Sequence, residues 1–112
     1  SNTEIKIKAK ELSKKGTTLE EISEHMDFVI VKLDYQFNGV ATIFAEVKFI
    51  ALPKKQLENS EFILAHEIGH HMLHEDILLG SRKLEEAEKK VIEEQADLFA
   101  KYLLKSLYKY EK

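Results

Sequence analysis

Four of the chain's five histidines fall between residues 66 and 74, in the stretch AHEIGHHMLH. Inside it, His66-Glu67-Ile68-Gly69-His70 reads HExxH. On a helix, side chains four apart lie one turn apart on the same face, so His66 and His70 can reach one ion. Glu67 lies about 100° round from His66 and flanks that ion rather than binding it. Zinc-dependent hydrolysis needs this arrangement: the ion lowers the pKa of a water to about 7 and polarises the carbonyl, while the carboxylate takes the proton. The expected roles are metal ligands for His66 and His70 and general base for Glu67.

Two ligands are one short of the usual catalytic zinc site, which has three from the protein plus a water. Glu93 and Asp97, in EEQAD, are four apart and so share a helix face. A carboxylate at 93 completes the set, and Asp97 can accept the free ring N–H of His66 or His70 and fix its tautomer. Glu94 is the rival third ligand; Glu93 is preferred because Leu98, not an acid or amide, follows Glu94 by four. Small Ala96 and Ala100 would let the two helices approach. Gly69 costs about 1 kcal/mol relative to alanine inside a helix, a cost that close packing behind the site would explain.

The other histidines receive different expectations. His71 is one position past His70, about 100° away, and reads as a surface or partly packed side chain. His74 is about 12 Å along a straight helix from His66, too far to share its ion. A cap, a hydrogen bond near the site or a substrate contact suits it better. His25 ends the second helix, where a partial positive charge is favourable.

The elements that must position these residues follow from pattern. Residues 5–13 read as a helix stopped by Gly16 in the left-handed conformation. Thr18 and Glu21 form a capping-box pattern for a second helix running to about Met26. FVIVKLDY, VATIFA and VKFIAL are β-branched and aromatic runs, separated by the Asn38-Gly39 turn signal and by Glu46, with Pro53 closing the third. They predict a small three-stranded sheet, largely antiparallel. Asn59 or Ser60 can cap the histidine helix, which should reach about Glu75, with a loop over 78–81. From Leu84 to the end the spacing of Val91, Ile92, Ala96, Phe99, Ala100, Leu103, Leu104 and Leu107 predicts a long amphipathic helix. The fold class is α+β, in one domain over 1–112.

Composition bounds the function. With no cysteine, disulfides and thiolate metal sites are excluded. No apolar run approaches the roughly 20 residues that cross a bilayer, so no membrane partner is expected. The start shows no secretory pattern. Net charge is −3, and the cluster Lys6, Lys8, Lys10, Lys14 and Lys15 reads as the wet face of the first helix rather than a nucleic-acid surface.

AHEIGHHMLH, with EEQADLFAKYLL downstream, resembles the ImmA/IrrE family of zinc metallopeptidases, whose hallmarks are HELGHxxLH and E-x-E-A-(N/D)-x-F-A-x-x-L-L. The likeness spans about residues 19–105. It implies His66, His70 and Glu93 as zinc ligands and Glu67 as general base, with Asp97 at the Asn/Asp position and His74 closing the first motif. It also implies a minimal zincin fold, in which an edge strand, here VATIFA or VKFIAL, binds extended peptide. The family's phage and mobile-element members imply a cytoplasmic endopeptidase that cleaves a helix-turn-helix repressor. Two departures stand out: Gln95 replaces the second glutamate of the E-x-E pattern, and Leu103-Leu104-Lys105-Ser106 stands for the usual LLMP. The alternative function is a zincin-like module that captures a regulatory protein without cutting it.

Overall fold

The histidine helix is placed by what packs on either side of it, a sheet and a second long helix. The computed structural model describes residues 1–80 and 82–108. The elements are α1 (Asn2–Leu12), α2 (Leu19–His25), β1 (Phe28–Leu33), β2 (Val40–Phe44), β3 (Val47–Pro53), α3 (Ser60–Leu73), α4 (Glu75–Leu78) and α5 (Glu86–Tyr108). This is the predicted α+β order, a small zincin-like arrangement with N-terminal helices ahead of the sheet.

Helix α1 buries Ile5, Ala9 and Leu12, one face at helical spacing, and leaves its lysines in solvent. Its end differs from expectation. Gly16 is extended (φ −179°), not left-handed, and a 3₁₀ turn over Ser13–Lys15 finishes the helix. Glycine is needed there for space: a Cβ would sit 2.8 Å from Glu21 Cβ. Thr18 caps α2 as predicted, its hydroxyl accepting the Glu21 N–H at 3.1 Å. The Glu21 carboxylate accepts the N–H and hydroxyl of Thr17, both at 2.8 Å, with the Thr18 N–H a weaker partner.

The sheet is mixed, not largely antiparallel. Its order is β1-β3-β2, with β3 parallel to β1 and antiparallel to β2. The tight turn is Ala45-Glu46, where both residues take positive φ (50° and 67°), the backbone a two-residue hairpin turn requires. Asn38-Gly39 instead ends a longer link, which lets β2 pass β1 and leave the central place to β3. β3 therefore has no free edge for a peptide, which leaves β2 and β1 as the sheet's edges.

Ile50 at the centre of β3 is fully buried and packs in one core with Phe28, Leu64, Ile68, Phe99 and Leu103. The opposite sheet face leaves Val29, Val31 and Phe44 exposed. Neither Asn59 nor Ser60 caps α3 through its side chain; Ser60 Oγ takes the Leu57 N–H at 2.7 Å and shapes the turn before the helix. α3 stops at Leu73, earlier than predicted, and α4 follows at once, so that Leu78 alone of the expected 78–81 loop is helical among the described residues; Ser81 and residues 109–112, expected to be helical, lie outside them.

α5 buries Ala96, Phe99, Ala100 and Leu103 against α3 and α1, while Val91 is exposed. Its contact with α3 is close at Gly69, where a Cβ would lie 3.2 Å from Phe99 Cβ and 3.3 Å from the Ala96 carbonyl oxygen. Tyr108 also donates a hydrogen bond to Glu61 at the start of α3. Overpacking at Gly69 should outweigh the helix-propensity gain of about 1 kcal/mol. We expect Gly69→Ala to lower unfolding free energy by about 1 kcal/mol, read by urea denaturation; an unchanged or higher midpoint would contradict the close-packing role.

Candidate active site

His66 and His70 project from the same face of α3 toward α5, as their spacing requires. Their Nε2 atoms lie 3.1 Å apart. The Glu93 carboxylate from α5 spans both, with Oε1 3.0 Å from His66 Nε2 and Oε2 3.1 Å from His70 Nε2. All three present ligand atoms within 4.8 Å of one another. Two imidazole nitrogens and a carboxylate oxygen are the donor set of a three-ligand catalytic metal site, so these residues fit a divalent cation. Glu94 is not among them; it lines a separate hollow with Asn2 and Lys101.

Each imidazole has an outer partner. His66 Nδ1–H donates to Asp97 Oδ1 at 2.7 Å, which leaves its Nε2 free to face the group. His70 Nδ1 lies 3.0 Å from His74 Nδ1, and His74 Nε2 lies 2.7 Å from Gln95 Oε1. The backbone leaves helical geometry at His74 (φ −128°, ψ 33°), yet its N–H still bonds His70 O at 2.8 Å. His74 is thus a buried hydrogen-bonding neighbour of His70 rather than part of the cluster that faces Glu93.

Glu67 lies in the cleft beside these groups and is nearly buried. Its carboxylate accepts the N–H of Ala41, on the free edge of β2. Burial pushes its pKa up to about 7, with His66 drawing it down and Glu93 adding to the rise. Burial likewise pulls His70 down to about 4. Gly39 makes this contact possible: its φ is +116°, and a Cβ would sit 2.9 Å from Ile63 Cγ2 and 3.2 Å from Glu67 Oε2. The adjoining cleft, about 430 Å³, has Val40, Ile77, Leu84 and Ile92 among its walls.

His71 corrects the expectation of a surface or partly packed residue. It is 2 % exposed, its ring stacks on Phe28 at 4.9 Å, and Nε2–H donates to the Phe49 carbonyl at 2.8 Å. It anchors α3 to the sheet, and burial lowers its pKa. Its spacing from Leu64 and Ile68, seven and three residues back, places it on the core face, a signal present in the sequence. His25 is exposed at the end of α2. Local spacing does not point to Ala41, Gly39 or Gln95 as neighbours of the site: the first two depend on sheet topology, and the last on where α3 ends.

Residues 5–105 match the family described as the IrrE N-terminal-like domain, a peptidase family. The chain belongs to the ImmA/IrrE family of metallopeptidases. No curated protein sequence matches it significantly. Family membership implies a metal ion, and the His-His-Glu group is where this member can hold one. No helix among the described residues is long and apolar enough to cross a membrane.

The raised pKa of Glu67 has a stability consequence in the metal-free protein. Its folded value, about 7, exceeds the ordinary 4.5, so the folded chain keeps a proton that the unfolded chain has released. Stability from this group therefore falls as pH rises from about 4.5 to about 7. Glu67→Gln removes the ionisation and should be more stable than wild type by about 2 kcal/mol at pH 8, the gain vanishing near pH 4.5. Urea unfolding at the two pH values, with chelator present, measures it; equal stability at pH 8 would contradict a buried, strained carboxylate.

Proposed function

We propose that the chain is a zinc-dependent endopeptidase, with His66, His70 and Glu93 holding the ion and Glu67 as general base. The observation that carries this reading is the meeting of both Nε2 atoms with the Glu93 carboxylate, beside a buried carboxylate at the edge of a cleft. Bound zinc supplies Lewis-acid polarisation of a water and of the scissile carbonyl.

The chain's own residues do the rest. Glu67, with a pKa lifted toward neutrality, accepts the proton of the attacking water and returns it to the leaving amine nitrogen. Asp97 holds the His66 ring so that Nε2 points inward. Gly39 and the first residues of β2, Val40 and Ala41, flank the site, and the outer edge of β2 suits an extended substrate strand. The apolar walls at Val40, Ile77, Leu84 and Ile92 favour an apolar side chain beside the bond cut.

From the family resemblance, the substrate is a helix-turn-helix repressor of a phage or mobile element, cleaved in the cytoplasm. No direct contact with nucleic acid or membrane is part of this reading: the lysines of α1 stay dispersed in solvent, and Lys6 lies 5.8 Å over the Tyr102 ring. Incubation with a repressor encoded beside the gene should give discrete fragments with zinc and none with chelator. Glu67→Gln should lose at least about 10²-fold in cleavage rate while binding zinc like wild type. Full activity in that variant would overturn the mechanism, and a stable uncut complex with zinc present would overturn the peptidase reading.

A further inference from the structure

His74 and Gln95 take no part in the chemistry described above, yet their geometry is restrictive. His74 is 3 % exposed, and both of its ring nitrogens have partners: Nε2 lies 2.7 Å from Gln95 Oε1 and Nδ1 lies 3.0 Å from His70 Nδ1. With the amide oxygen of Gln95 turned to the ring, His74 Nε2 is the donor. A neutral imidazole has one N–H, so His74 Nδ1 is then a lone pair. The proton shared across the 3.0 Å contact must belong to His70 Nδ1. His70 Nε2 is left bare by this relay, and it is this nitrogen that faces His66 Nε2 and, 3.1 Å away, the Glu93 carboxylate, an acceptor it can join only through a cation or an added proton. Each assignment follows from the one before, starting from the Gln95 amide oxygen that faces His74.

We propose that Gln95 and His74 are positioning residues that fix the tautomer of His70, so that its Nε2 lone pair is directed at the metal. The proposal rests on the zinc-site reading and deepens it. It makes the two histidine ligands unlike: Asp97 orients His66 through an anion, whereas His70 is oriented through a neutral relay ending in an amide. The break of α3 after Leu73 serves this arrangement, since the His74 backbone stays tied to His70 O at 2.8 Å while its ring reaches α5.

The test uses ¹⁵N-labelled full-length chain, with and without zinc, and the variants Gln95→Met and Gln95→Glu. In wild type, nitrogen shifts should place the single His74 proton on Nε2. The zinc-loaded protein should show nitrogen–nitrogen coupling across the hydrogen bond from His70 Nδ1 to His74 Nδ1. Gln95→Met keeps the volume but removes the acceptor at a half-buried position. It should scramble the His74 tautomer and weaken zinc binding about tenfold in chelator competition, with an unchanged circular dichroism spectrum. Gln95→Glu, which restores an acceptor, should return the zinc affinity to near the wild-type value.

A His74 proton found on Nδ1 in wild type overturns the proposal whatever the variants do. So does a Gln95→Met protein with wild-type shifts and zinc affinity. A wild-type chain that shows the Nε2–H tautomer but fails to bind zinc supports the hydrogen-bond chain and sinks the zinc reading instead.

Discussion

The contact between α3 and α5 is what everything else depends on. The histidines stand on one helix and the glutamate on the other, so the donor group exists only while the two backbones stay close. Gly69 permits that approach by presenting no side chain to Phe99 and Ala96. Ala96 and Ala100, both fully buried, do the same from the other helix. The candidate metal site is thus held by packing rather than by a loop, as a site built on rigid elements requires. α1, lying on the far side of α5, adds Ile5, Ala9 and Leu12 to the same core.

Within that frame the fold accepts an electrostatic cost. Glu67 is buried with only the Ala41 N–H and nearby His66 to favour its charge, and Glu93 opposes it. His70 is kept neutral by the same burial. A carboxylate that ionises near neutral pH and an imidazole that stays unprotonated suit the hydrolytic roles proposed for these positions. Cavity walls, edge strand and helix pair are all arranged around groups that would be more comfortable in water.

Much of this was legible in the chain because it depends on local spacing. HExxH on a helix and ExxxD on another predicted which side chains share a face, and α+β order followed from runs of β-branched residues between amphipathic stretches. Sheet topology was not legible. Asn38-Gly39 carries the residues a tight turn favours, but the turn forms at Ala45-Glu46, where two ordinary residues accept positive φ; long-range pairing of β3 with β1 decided the matter, and no local preference records it. Partners that cross between elements were also hidden. Two positions along α5 turn about 200°, so spacing alone separates Gln95 from Glu93, and its bond to His74 follows from where α3 ends. His71, by contrast, is readable from its interval to Leu64 and Ile68, which places it on the core face even though it stands one position past His70.

The five-residue strand β2 pairs with β3 on one side alone. Unpaired backbone groups along such a rim invite any extended chain, including another molecule of the same protein. Here the rim is short, begins at a kinked glycine, and has the Ala41 N–H already taken by a carboxylate. So short a rim offers few backbone pairs to a second copy of the chain, which limits clumping along it.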